Sequence, residues 1–184
     1  MFISLRGFGS WAANVDVSNT IRVLNLFLSS CDEIISRKGG TLDKIVEDTI
    51  MAVFRNKDDE VDFLLNAYRA ATEIQNKLST ILPESFKEIS SPPCDIGFAS
   101  GMVVSGKIGS KKGILDYSVI GNPVNLAARL KAKAFFANET GILLCPATVK
   151  KMAKFVRVRF IKRVSIKGRS REFSLYEAIE ERKN

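Results

Sequence analysis

Leu115-Asp116-Tyr117-Ser118-Val119-Ile120-Gly121-Asn122-Pro123-Val124-Asn125-Leu126-Ala127-Ala128-Arg129-Leu130 is the stretch on which the reading of this chain turns. From Asp116 to Ile120 polar and apolar residues alternate with β-branched members among them, the pattern of a half-buried strand. Gly121 and Asn122 break that alternation, and Pro123 opens a run whose apolar residues recur at helical spacing. The segment therefore reads as strand, tight turn, helix. Asn125 and Arg129 stand four apart, so they share one helix face about a turn from each other. An amide and a guanidinium so arranged can grip an anionic or polar ligand, and they are equally what an ordinary solvated helix face presents.

Working outward, Phe2 to Leu5 reads as a short strand, and Arg6-Gly7-Phe8-Gly9-Ser10 as a glycine-loosened turn. Such a turn ahead of a helix aims backbone N–H groups outward, a natural seat for phosphate. A helical pattern runs from about Asp16 to Arg37, with Val17, Ile21, Leu24, Phe27, Leu28, Cys31, Ile34 and Ile35 on its apolar face, and stops at Gly39-Gly40. Thr41 to Val46 and Thr49 to Phe54 form a hairpin around Glu47-Asp48. Asp58-Asp59-Glu60 cap a second long helix, Glu60 to Leu82, and Pro83 to Pro93 reads as a polar surface connection. Asp95 to Ser100 and Met102 to Ile108 read as another pair of strands joined near Gly101. After the central stretch come a strand at Gly141 to Cys145, a short helix at Pro146 to Ala153, and strands at Val156 to Val164 and Phe173 to Glu177. Strand, helix, strand, strand, helix, strand is the ferredoxin-like βαββαβ order, an α+β class with further C-terminal strands and a helix.

Composition narrows the chemistry. The 184 residues suit one domain, 1–184, and 46% apolar with 26% charged residues describes a globular chain. No run approaches the roughly 20 apolar residues of a spanning helix, and Phe2-Ile3 is no secretory leader. Cys31, Cys94 and Cys145 are scattered without a CxxC pair, which points to a reducing, cytoplasmic setting. Histidine is absent, which removes the commonest general base and zinc ligand. The net charge of +8 is concentrated in Lys150 to Arg171, which holds ten Lys or Arg and no acid. That run suits a polyphosphate, an acidic partner, a membrane surface or nucleic acid. Only Phe155 and Phe160 interleave it, and Val156 to Phe160 alternates like a strand, so no nucleic acid is expected.

Tyr117, Ser118, Gly121, Val124-Asn125, Ala127 and Arg129 resemble the signature of the class III nucleotide cyclases, the catalytic domains of adenylyl and guanylyl cyclases. The likeness recurs in order along nearly the whole chain, at Phe2 to Phe8, Lys44 to Phe54, Gly97 to Gly109 and Lys167-Gly168. The resemblance implies the same ferredoxin-like core. It also implies an adenylate cyclase domain that turns ATP into cyclic AMP and pyrophosphate with Mg2+ or Mn2+, within a longer protein of a kind that can be membrane-attached. Family members usually carry several strand residues ahead of the position of Met1, so the chain is expected to be a C-terminal fragment.

Residue by residue, the resemblance makes Asp48 the hairpin metal ligand and Leu5 a ligand through its backbone carbonyl. Ser4 stands where the family has its strand aspartate, so the metal set is degenerate there, and Glu47 stands where the family usually has glycine. Lys44 matches the lysine that reads adenine, with Ser118 as its partner. Asn125 matches the residue that orients ribose, and Arg129 the one that stabilises charge at the α-phosphate. Lys167 matches a lysine on the terminal phosphates, and Gly7 and Phe8 belong to the phosphate turn. In the family each site is completed across a dimer, so the partners implied are ATP and a second cyclase-like domain, in a homodimer or a heterodimer. Ser4 keeps a second reading open, a non-catalytic dimerising or nucleotide-binding domain, and a basic nucleic-acid binder stands third.

Overall fold

The computed structural model describes residues 1–55, 63–88, 90–110, 115–165 and 172–182. Strand β1 (Phe2–Leu5) leads through Gly7, in the left-handed region at φ 73°, into the short helix α1 (Phe8–Ala12). Helix α2 (Val17–Arg37) begins at Asp16, whose carboxylate accepts from the Asn19 N–H at 2.9 Å, and is followed by Gly39 at φ 76°. The hairpin β2 (Gly40–Val46) and β3 (Thr49–Phe54) precedes α3 (Phe63–Ile81), and then β4 (Cys94–Phe98) returns to the sheet. The expected caps Asp58, Asp59 and Glu60 lie outside the described residues.

These elements make the ferredoxin-like core the spacing predicts. Strands run in the order β2-β3-β1-β4, with β1 antiparallel to both β3 and β4. The sheet continues through β7 (Ile142–Leu144), β9 (Phe173–Glu181) and β8 (Val156–Val164), with α6 (Pro146–Met152) between β7 and β8. Helices α2 and α3 cover one face. Val23, Phe27, Ile34, Ile74 and Leu78 interlock there with Ile3, Ile50 and Ile96, all buried. Helix α5 (Asn122–Lys131) lies on the opposite face, its Leu126 and Leu130 buried with Leu143 and Leu175.

Three expectations shift. Val17 and Ile21, placed on the buried face of α2, are 74% and 53% exposed, and the burial of the helix begins at Val23. The Pro83 to Pro93 connection is not all surface. It holds the one-turn helix α4 (Glu84–Lys87), whose Phe86 is fully buried against Trp11 at a ring distance of 5.4 Å. Strands β4 and β5 (Val104–Gly109) do not pair with each other. Strand β5 pairs instead with β6 (Leu115–Ile120) in a separate two-stranded ribbon, because the chain turns away from the sheet after Phe98. Among the described residues no helix is long and apolar enough to cross a membrane.

Helix α5 touches the sheet at Gly97. A Cβ there would stand 2.1 Å from the Ala127 carbonyl oxygen and 2.2 Å from the Lys131 nitrogen, both backbone atoms that cannot swing aside. Gly97→Ala is accordingly expected to destabilise the fold by about 2–3 kcal/mol, read as a lowered urea midpoint. An unchanged midpoint would contradict this packing.

Candidate functional site

Directly paired residues of neighbouring strands point to the same face. Ser4 pairs with Thr49 on one side and with Asp95 on the other, so Thr49, Ser4 and Asp95 form one row across β3, β1 and β4. The next row is Lys44, Met51, Phe2 and Gly97. Gly97 lies under α5, so both rows face that helix. The sheet thus gathers Ser4, Asp48 beside Thr49, and Lys44 on the face that carries Asn125 and Arg129 above it.

The polar row is densely connected. The Arg6 Nε donates to Asp95 Oδ1 at 2.8 Å, and the same guanidinium donates to the carbonyls of Ala134 at 2.8 Å and Ala137 at 3.2 Å. Lys131 Nζ donates to Thr49 Oγ1 at 3.3 Å, and Thr49 Oγ1 donates to Asp48 Oδ1 at 3.4 Å. Burial raises the Asp95 pKa, while Arg6 and Lys131 draw it down and Asp48 pushes it up. Asp48 and Lys131 are therefore both close enough to Asp95 to act on its charge.

As a divalent-cation seat, this end of β1 offers the Asp48 carboxylate, the Ser4 hydroxyl and the Leu5 backbone carbonyl. All are hard oxygens, the right kind for Mg2+ or Mn2+. Asp95 is paired with Arg6, and among the described residues no group of three His, Cys, Asp or Glu is gathered. The donors fit such an ion in kind, with one free carboxylate, so substrate oxygens and water must complete its shell.

The turn that carries Asp48 is strained. Glu47, the first residue of the two-residue loop between Val46 and Thr49, has φ 55°, a conformation glycine adopts freely and other residues at a cost of roughly 1–2 kcal/mol.

Lys44 and Asn125 are exposed and Arg129 is half-buried, and none has a side-chain partner among the described residues. Gly7 is exposed, and Phe8 packs on Trp11 at a ring distance of 6.2 Å. The first-turn amides of α1 after Gly7 have no intrahelical acceptor by helix geometry. Lys167 lies outside the described residues. Ser118, on β6, has no exposed surface, and its hydroxyl donates to Asp43 Oδ2 at 2.7 Å. Asp43, Asp95 and Lys131 carry no motif at the sequence level. Asp43 precedes Lys44 in a strand whose irregularity no periodicity reveals, and Asp95 and Lys131 matter only through strand register and helix placement.

The comparisons with known proteins agree with this fold. The family described as the adenylate and guanylate cyclase catalytic domain matches residues 1–177, and the chain belongs to it. A relative by sequence is the terminal-differentiation-specific adenylate cyclase of Dictyostelium discoideum, 29% identical across 97% of this chain. The chain spans 8% of that protein's length. The crystal structure of the adenylyl cyclase CyaB from P. aeruginosa superposes with a TM-score of 0.83 at 25% identity, over 98% of this chain and 92% of that one. That of the guanylyl cyclase Cya2 superposes with a TM-score of 0.79 at 27% identity, over 96% and 88%.

Replacing Glu47 with glycine removes the strain in the turn. Glu47→Gly is expected to stabilise the protein by about 1 kcal/mol in urea denaturation, the relief being partly offset by glycine's extra freedom in the unfolded chain. A destabilised Glu47→Gly would show that the glutamate side chain holds the turn.

Proposed function

We propose that this chain is an adenylate cyclase domain that converts ATP into cyclic AMP and pyrophosphate, working as a pair of copies and as one part of a longer protein. The observation that carries the reading is the placement of Asp48, Ser4 and Lys44 on one sheet face, overlaid by the helix bearing Asn125 and Arg129. Both halves of the family's site are present on one chain, so two copies supply what each site needs. No contact joins Asn125 or Arg129 to Asp48 among the described residues, in keeping with a site completed by a second copy.

In the reaction the ribose 3′-oxygen forms a bond to the α-phosphorus, the bond from that phosphorus to the bridging oxygen breaks, and pyrophosphate leaves with its electron pair. The 3′-hydroxyl proton passes to water. Arg129 faces the charge that develops on the α-phosphate, the place where a preorganised cation is worth most. Asn125 holds the ribose so that its 3′-oxygen lies in line with the leaving group. Lys44 donates to an acceptor nitrogen of adenine. Lys167 and the first-turn amides after Gly7 and Phe8 take the terminal phosphates. Asp48, Ser4 and the Leu5 carbonyl would hold Mg2+ or Mn2+, which would supply charge neutralisation at the triphosphate. Ser4 contributes no charge, and the Lys131 ammonium at Thr49 opposes a further cation, so the reaction runs slowly and favours Mn2+.

Apolar groups left open on the β2 hairpin, on the β5-β6 ribbon and just ahead of it support pairing. Met102 is 93% exposed, Val104 68%, Val46 63%, Tyr117 61% and Ile120 56%. The basic run is less available to nucleic acid than its charge suggests, because Arg157 pairs with Glu180, and Arg159 with Glu139 and the fully buried Glu177. Ser4 and Lys131 favour the second reading, a non-catalytic pairing domain.

Purified protein with ATP and Mn2+ is expected to form cyclic AMP. Arg129→Ala should lower kcat by about 100-fold or more, and Ser4→Asp should raise activity with Mg2+ about tenfold. No product with Mn2+ from either the wild type or Ser4→Asp would leave the non-catalytic reading standing.

A further inference from the structure

Lys131, the last residue of α5, reaches down from the helix to the sheet. Its ammonium donates to Thr49 Oγ1 at 3.3 Å, and that hydroxyl donates to Asp48 Oδ1 at 3.4 Å. Ammonium and carboxylate touch the same oxygen atom, so they stand within about 7 Å of each other. Lys131, Thr49 and Asp48 are all half-buried, so salt and solvent screen the pair less than they would on an open surface.

Helix geometry alone gives Lys131 a simpler task. The C-terminal end of a helix carries partial negative charge, which a lysine in the last turn offsets, and the bond to Thr49 would then only pin α5 to β3. The surroundings say more. Around Ser4 stand two carboxylates, Asp48 and Asp95, and two cations, Arg6 and Lys131. Asp95 is already matched by Arg6 at 2.7 Å, so the ammonium of Lys131 falls to Asp48.

We propose that the Lys131 ammonium is a built-in cation of the site, which stands in for one divalent ion beside Asp48 and limits the nucleotide-free site to weak binding of a single one. This deepens the adenylate cyclase reading and rests on its cation seat. Displacement at a triphosphate is commonly served by two divalent ions about 4 Å apart, and each calls for carboxylate charge. Ser4 supplies none. A single positive charge fixed on a helix needs fewer ligands, and Thr49 and Asp48 suffice for it. The same charge repels any dication brought to Asp48, and in a half-buried place that repulsion is strong. Lys131 thus sets how tightly the site holds its divalent ion and leaves no room for a second.

Mn2+ alone is the probe, added to the nucleotide-free protein and followed by the electron paramagnetic resonance signal of the unbound ion. Lys131→Met and Lys131→Gln remove the charge, and each should tighten Mn2+ by about tenfold or more. Lys131→Arg keeps the charge and should stay within about threefold of the wild type. Adding Asp48→Asn to Lys131→Met should abolish the gain. A lysine that only pins the helix predicts a lowered urea midpoint for Lys131→Met with Mn2+ affinity unmoved. That result would overturn the proposal, as would a gain that survives Asp48→Asn. Cyclic AMP formation by the wild type and by Ser4→Asp, assayed in parallel, separates the two claims. Tightened Mn2+ in Lys131→Met, with no product from either protein, supports the built-in cation and ends only the adenylate reading. Product formed, with Mn2+ affinity unmoved in Lys131→Met, ends the built-in cation alone.

Discussion

Everything at the candidate site depends on α5 lying flat on the sheet, and it can do so only over Gly97. Backbone atoms of Ala127 and Lys131 occupy the space a side chain would need there. Close approach puts the C-terminal end of the helix within hydrogen-bond reach of β3, where Lys131 meets Thr49. The Arg6 guanidinium then ties β1 to the segment just after α5 by donating to Ala134 and Ala137. One contact between a helix backbone and a strand backbone thus sets where the two charged side chains of α5, Arg129 and Lys131, stand.

The electrostatics of that row leave little negative charge for a dication. Ser4 removes one carboxylate, and Asp95, the carboxylate next to it in register, is neutralised by Arg6. Lys131 adds a positive charge at Thr49. Asp48 is left as the carboxylate open to a cation, held on a turn that keeps Glu47 in a glycine-like conformation. The other half is intact in kind: Lys44, Asn125 and Arg129 are without partners among the described residues, ready for a ligand of opposite character.

Much of this was legible in the sequence, for identifiable reasons. The alternation at Asp116 to Ile120 and the break at Gly121-Asn122 fix a strand, a turn and a helix because local backbone preferences dominate there. The core order follows from the same kind of signal, and so does the hairpin around Glu47-Asp48. What periodicity does not carry is pairing between strands distant in the chain. That is why β5 was expected beside β4 and is found with β6, and why Asp95 and Lys131 gave no sign of joining the Ser4 row. The bulge at Asp43 is also invisible at that level, since one extra residue in a strand changes no composition. Phe86 is buried in a segment read as polar because tertiary packing overrode its neighbours.

The claim at the centre is that the carboxylate of one copy works with the amide and guanidinium of another over a shared triphosphate. Mixing two inactive variants measures this most directly, Asp48→Ala with Arg129→Ala, with cyclic AMP as the readout. If sites form between copies, random re-pairing yields one intact site in about half of the dimers, and activity should return to roughly a quarter of the wild-type level. A mixture as inactive as either variant alone would contradict the account.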